Sequence, residues 1–142
     1  MADSYMPKSK SDDWATPQYL FDEWNAKYDF DLDAAASSTN HKCINWYGLD
    51  HPDVSRRNGL AQSWDAKATW VNPPYGRVLN EWVGHAAEQL GSVVMLLPAR
   101  TDTRWFHNYC LNQKITFIKG RVKFGGNANA APFPSMIVEF NA

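Results

Sequence analysis

Thr69-Trp70-Val71-Asn72-Pro73-Pro74-Tyr75-Gly76 reads as a short apolar strand that runs straight into a rigid, aromatic-tipped turn. Two successive prolines fix φ near about −65° and remove two backbone donors, which leaves the neighbouring carbonyls able to accept. A residue that precedes a proline is pushed into extended backbone, so Asn72 is held outward at the strand end. An Asn amide oxygen and a proline carbonyl then converge there, with a phenol ring beside them. Two such acceptors suit a planar NH2, exocyclic or amide, with Tyr75 stacked on the flat group that carries it. Drawing both hydrogens into one plane of acceptors makes the nitrogen more pyramidal and frees its lone pair. No strong base is then required. The plainer reading is a proline-terminated strand plugged by an aromatic ring, since Pro-Pro turns are common.

Working outward, the chain alternates strands and helices. After the Asn72 turn, Leu79, Trp82, Val83, Ala86 and Leu90 recur at helical spacing, with Gly91 as the expected C-cap. Ser92 to Leu97 is continuously apolar, the mark of a strand buried on both faces of a parallel sheet. It ends at Pro98-Ala99-Arg100-Thr101-Asp102, where Asp102 or Thr101 can cap a helix that turns Trp105, Phe106, Tyr109 and Cys110 inward. Ile115 to Ile118 is a further strand, Gly120 to Phe124 a strand or turn, and a loop from Gly125 to Ser135 leads to a last strand at Met136 to Phe140. Upstream, Thr16 is a good N-cap and Pro17 suits the first helical position, with Leu20, Phe21, Trp24 and Tyr28 on one face. Tyr28 to Asp33 alternates as a strand, followed by small residues at Ala34 to Ser37, read either as an Ala-rich helix start or as a loop that lets a ligand approach the backbone. Asp33 would suit a ligand ammonium group. A second short strand is expected around Cys43 to Tyr47, then a polar loop from Gly48 to Gly59, and Leu60 to Asp65 leads into the central strand at Ala68 to Val71. This pattern predicts an α/β fold with a mostly parallel sheet and an antiparallel edge pair. Ligands in such sheets bind beyond the carboxyl ends of strands, and Asp33 to Ser37, Asn72 to Tyr75 and Pro98 to Thr101 all fall at such ends.

Composition narrows the classes. A chain of 142 residues with 14% aromatic content suits one folded domain, and the net charge of −1 rules out a strongly basic nucleic-acid coat but not a local basic surface. Two cysteines, Cys43 and Cys110, form no disulfide framework. His41, Cys43 and His51 match no standard zinc spacing, so no metal is expected. No apolar run is long enough to span a bilayer, and a cytoplasmic location is the default. Residues 1–13 are polar and without periodicity, and read as a flexible arm ahead of a domain at 14–142.

With those residues in place, the chain resembles the phage-type DNA N-6-adenine methyltransferases, relatives of the Dam methylases. The resemblance rests on Trp14-Ala15-Thr16-Pro17, Asp31 to Ser37, Trp70 to Gly76, Leu97 to His107 and Gly120 to Gly126. It implies a minimal single-domain, Rossmann-like, S-adenosylmethionine-dependent methyltransferase fold that acts on a flipped adenine in double-stranded DNA, in a bacterium or phage-infected host. Asn72, Pro73, Pro74 and Tyr75 would form the catalytic turn. Trp14, Thr16 (at the methionine end), Asp33, Ala34, Ala35 and Ser37 would contact the cofactor, and Trp64 or Leu60 would border its adenine by position. Arg77, Arg100, Arg104, Arg121 and Lys123 are candidate phosphate contacts, Arg100 foremost because it lies on the rim. Two departures stand out. Ala34-Ala35-Ala36-Ser37 replaces the usual Gly-rich loop, and no segment is long enough for a separate recognition domain. Reading of DNA is therefore expected from the loops at Gly48 to Gly59 and Gly125 to Ser135, or from a partner, and a homodimer is allowed for. A protein glutamine amide offers the same planar NH2 as an alternative substrate, and a non-catalytic binding module is a second alternative.

Overall fold

The computed structural model describes residues 15–126 and 130–142. A five-stranded sheet forms its middle, in the order β1-β2-β3-β5-β4. The strands are β1 (Leu32–Asp33), β2 (Ala68–Val71), β3 (Ser92–Pro98), β4 (Lys114–Phe117) and β5 (Ser135–Phe140). β1, β2 and β3 pair in parallel, while β5 runs antiparallel to both β3 and β4. The sheet is thus mixed, with two parallel and two antiparallel pairings: the expected antiparallel edge pair is β4 with β5, but β5 is also reversed against β3, so the sheet is less parallel than expected. β3 is as deeply buried as its apolar run predicts, although one of its neighbours is antiparallel.

α1 (Gln18–Tyr28) lies on one face and sets Phe21 edge-on to Trp70 of β2, ring centroids 5.5 Å apart. It starts one residue later than expected, because Pro17 stands in extended backbone and its carbonyl takes the first amides, those of Leu20 and Phe21. Thr16 is buried beside it and does not cap. The expected strand from Tyr28 shrinks to Leu32–Asp33 for two reasons. Asp29 ends α1 in left-handed backbone at φ 54°. The Asp31 carboxylate then accepts the amides of Lys67 and Ala68, occupying donors that a longer ladder would use.

Ala34 to Asn40 forms no helix. The Ala34 and Ala36 amides already donate to the carbonyls of Trp70 and Tyr47, so the chain is pinned between β2 and the segment at Tyr47. The strand expected at Cys43 to Tyr47 is a single parallel bridge, Trp46 to Asp33.

α2 (Leu79–Ala87) buries Leu79, Trp82, Val83 and Ala86 in the core. It stops short of Leu90, which is fully exposed, and Gly91 is not its cap. The Asn141 carboxamide instead donates to the carbonyls of Ala86, Gln89 and Gly91, closing the turn from the far end of the chain. The next helical turn, Phe106–Cys110, is capped by Thr103 rather than Thr101 or Asp102. Thr103 Oγ1 donates to the Arg100 carbonyl and accepts the Phe106 amide. Trp105, Phe106 and Cys110 are buried, whereas Tyr109 lies on the surface. β4 begins one residue early and Gly120 to Phe124 forms no strand.

Candidate functional site

At the carboxyl ends of β1 and β2 the sheet opens into a cavity of about 470 Å³. Its near wall is Ala34, Ala35 and Ala36 after β1, with Asn72, Pro73, Pro74 and Tyr75 after β2. Opposite stand Gly48, Leu49 and the Arg57 to Leu60 stretch, and Val78 and Trp82 close the third side. Residues far apart in sequence thus share one space because parallel strands deliver their ends to one rim.

Asn72 is half-buried and Pro73 buried at the tip of β2. Tyr75 folds back beneath them, 8% exposed, and its hydroxyl donates to the Leu96 carbonyl at 3.1 Å with Asn72 Oδ1 at 3.4 Å. Burial raises the phenol's pKa above its ordinary value, against a smaller opposing pull from Arg100, so the hydroxyl stays a donor. Its ring meets Phe124 and Phe133 edge-on, centroids 6.3 and 5.6 Å away.

Asp33 is a strut. Its carboxylate is buried, accepts the Lys42 amide at 2.9 Å and that of Ala35, and does not line the cavity. Burial pushes its pKa up to about 6, the two hydrogen bonds and the charges of Lys42 and His41 pulling the other way. Ser37 is likewise turned inward, with its amide on Asn40 Oδ1 and its hydroxyl 3.2 Å from that of Thr39. Thr16 is buried away from the cavity lining, and Trp14 lies outside the described residues. Of the pair Trp64 and Leu60, Leu60 lines the cavity and Trp64 stands behind it. Trp64 donates its indole N–H to the Gly59 carbonyl at 2.9 Å and stacks on Trp82.

Apart from Leu60, the far wall belongs to the loop that the sequence marks for reading DNA, and its residues line the cavity instead. Its signal was two glycines. A Cβ on Gly48 would sit 2.0 Å from the Ala36 carbonyl oxygen, and one on Gly59 would sit 2.4 Å from that of Ala34. The small-residue requirement missing from Ala34-Ala35-Ala36 has moved to the segment that packs against it. That segment is held by His41 and His51 on either side of the Trp46 ring, at 4.9 and 4.3 Å, and by Arg57 Nε donating to the His51 carbonyl.

Of the expected phosphate contacts, Arg77, Arg104, Arg121 and Lys123 are exposed and Arg100 is half-exposed. Arg100 lies over the Phe133 ring at 5.6 Å, beside Tyr75, and Arg121 reaches the Ala131 carbonyl at 3.5 Å. None of the five lines the cavity. No group of three metal-ligating side chains occurs among the described residues.

Comparison with known proteins matches residues 3–138 to the family described as "DNA N-6-adenine-methyltransferase (Dam)". A relative from Haemophilus phage HP1 (strain HP1c1), named "DNA N-6-adenine-methyltransferase", is 30% identical over 158 aligned positions that span 99% of this chain and 84% of the relative. One of the same name from Escherichia phage T1 is 36% identical over 105 residues, 70% of this chain but 41% of the relative's length.

Proposed function

Since the chain belongs to the DNA N-6-adenine-methyltransferase (Dam) family, we propose that it moves a methyl group from S-adenosylmethionine to the exocyclic amino group of an adenine in double-stranded DNA. The observation that carries this reading is that the Asn72-Pro73-Pro74-Tyr75 turn lines the same cavity as the loop after β1. The residues present fit the cofactor. The volume of about 470 Å³ falls within the range of small-molecule sites, and its walls are largely apolar with a few polar groups at Asn40, Arg57 and Asn58. When bound, S-adenosylmethionine supplies an electrophilic methyl group on a sulfonium. Ala34 and Ala35 would face it with backbone and methyl groups, Leu60 and Trp82 would enclose it, and Arg57, Asn58 and Asn40 would meet its polar atoms.

The remaining work belongs to the turn. Asn72 Oδ1 and the Pro73 carbonyl accept the two hydrogens of the target amino group, which holds its nitrogen lone pair toward the cavity. Tyr75 packs against the base, its hydroxyl tied to the Leu96 carbonyl so that the ring cannot swing away. The nitrogen would form the new N–C bond as the donor's S–CH3 bond breaks, the sulfonium leaving as a neutral thioether, and would give up its proton to water afterwards, so positioning is the main catalytic device. A stacked base is out of reach, so the adenine enters flipped from the duplex. The sheet and its rim read as a Rossmann-like methyltransferase domain covering residues 14–142, at work in the cytoplasm of a bacterial or phage-infected host as a monomer or homodimer. No helix among the described residues is long and apolar enough to cross a membrane.

The test is to incubate the protein with methyl-labelled S-adenosylmethionine and unmethylated plasmid, then digest the DNA to nucleosides. Label in N6-methyl-2′-deoxyadenosine is expected. Label in a cytosine nucleoside would keep the site and move the target, label in protein glutamine would overturn the DNA substrate, and absence of any transfer would leave only a binding module.

A further inference from the structure

The formal charge of −1 hides a division of the chain. Residues 15–65 carry eight carboxylates against four cations. Residues 99–123 carry Arg100, Arg104, Lys114, Lys119, Arg121 and Lys123 against Asp102 alone. Pairing differs in degree: Lys42, Arg57 and Arg77 form no ion pair among the described residues, but three other cations outside residues 99–123 do. Lys27 meets Glu139 at 2.9 Å, Arg56 meets Asp53 at 3.9 Å and Lys67 meets Asp29 at 3.5 Å. None of the six later cations has an ion-pair partner among the described residues, and five are exposed with Arg100 half-exposed.

Strand register shows where those charges stand. Phe117 at the end of β4 is level with Met136 of β5 and Leu97 of β3, one residue short of the rim. The Ile118 amide then donates to the Ser135 carbonyl, and Ser135 is paired with Pro98 at the end of β3, so the chain leaves the sheet at rim height. From there Lys119, Arg121 and Lys123 lead to Phe124, whose ring abuts Tyr75. Val122 is buried between them and accepts the Ala131 amide, which fixes the path. Lys114 is different. It is level with Glu139 and Val94, three residues below Phe117 and therefore roughly 10 Å beneath the rim. Phe117 itself is 59% exposed, a flat apolar ring at the end of an edge strand with cations on the segment that follows.

We propose that duplex DNA docks on one side of the rim only, from the end of β3 to the β4 edge. Its phosphate backbone follows residues 119–123 toward Tyr75, with Lys119 as a phosphate contact and Phe117 as an apolar contact to the sugar or base edge. The proposal rests on the reading of this chain as an enzyme of DNA. A polyanion needs accessible, unneutralised cations, and residues 15–65 carry more carboxylates than cations. Lys114 provides an internal control, since it has the same charge and stands on the strand that leads to Lys119 but sits too low.

The experiment measures duplex affinity as a function of salt for the full-length protein and for Lys119→Ala, Phe117→Ala and Lys114→Ala, with S-adenosylmethionine affinity measured alongside. Lys119→Ala should weaken DNA binding severalfold and flatten the log–log salt slope by about 1, the loss of one phosphate contact. Phe117→Ala should weaken it severalfold with the slope unchanged. Lys114→Ala should match the wild type, and cofactor affinity should be the same in all four. If the wild type binds DNA with a steep salt slope but Lys119→Ala leaves that slope intact, or Lys114→Ala flattens it equally, one-sided docking is overturned while the DNA reading stands. A wild type that does not bind duplex DNA at all overturns both.

Discussion

The two halves of the rim solve opposite problems. Between β1 and β2 it forms a walled cavity held by hydrogen bonds: the buried Asp33 onto loop amides, the buried Trp64 onto Gly59, and at the surface Arg57 Nε onto His51. Between β3 and β4 it is open, and its cations form no ion pair among the described residues. A small flat ligand is selected by a wall whose shape is fixed before it arrives, and buried hydrogen bonds fix shape. A polyanion is attracted by charge that remains available, and pairing would remove it. The Asn72 turn lies where the two meet.

That division can be broken in several places. The largest effect is expected at the junction. Asn72→Ala should slow methyl transfer by on the order of 10²- to 10³-fold, the loss typical of one preorganised polar group at a reacting centre, with cofactor and DNA affinities both retained. Single-turnover rates with parallel binding titrations check it, and a fall in either affinity of the same size would move Asn72 out of the junction.

Next is the pH dependence of the enclosed half. Asp33 has a folded-state pKa of about 6 against an ordinary 3.8, so the folded state favours its protonated form. The associated stability is present below about pH 4 and is lost as pH rises through about 6, on the order of 3 kcal/mol. Denaturant unfolding of the wild type and Asp33→Asn across that range should show the variant gaining on the wild type as pH rises. Parallel pH profiles would remove Asp33 as a buried strut.

A smaller effect is expected at the glycine seam. Gly59→Ala places a Cβ 2.4 Å from the Ala34 carbonyl oxygen and 2.9 Å from the Trp82 ring. It should destabilise the protein by about 1–3 kcal/mol and weaken S-adenosylmethionine binding. The DNA salt slope should not change, because the open half of the rim is untouched. The smallest effect sets the baseline. Leu90 lies beyond α2 and is fully exposed, so Leu90→Ala should alter stability by less than about 0.5 kcal/mol.

What could be read from the chain alone follows the same division between local and distant causes. The bounds of β2, the buried run of β3, the inward face of Leu79, Trp82, Val83 and Ala86, and the antiparallel pairing of the last two strands all follow from local pattern. The shrinking of β1 does not, because the carboxylate that interrupts its ladder belongs to Asp31 and the amides it occupies lie 36 and 37 residues downstream. Neither does the end of α2, which is closed by Asn141. At the site, Asn72 to Tyr75 and Ala34 to Ala35 announce themselves through strand ends and small residues, and the structure sets them on one cavity. The far wall is assembled by contacts of Gly48 and Gly59 with carbonyls of another segment, and in the sequence those glycines only bracket a polar loop.

The central claim is that the methyl donor occupies the enclosed half and DNA the open one. It is tested most directly by irradiating the protein with methyl-labelled S-adenosylmethionine and sequencing the labelled peptides. Label within residues 34–60 or 72–82, competed by unlabelled cofactor but not by duplex DNA, is the predicted result. Competable label within residues 100–123 would contradict the account.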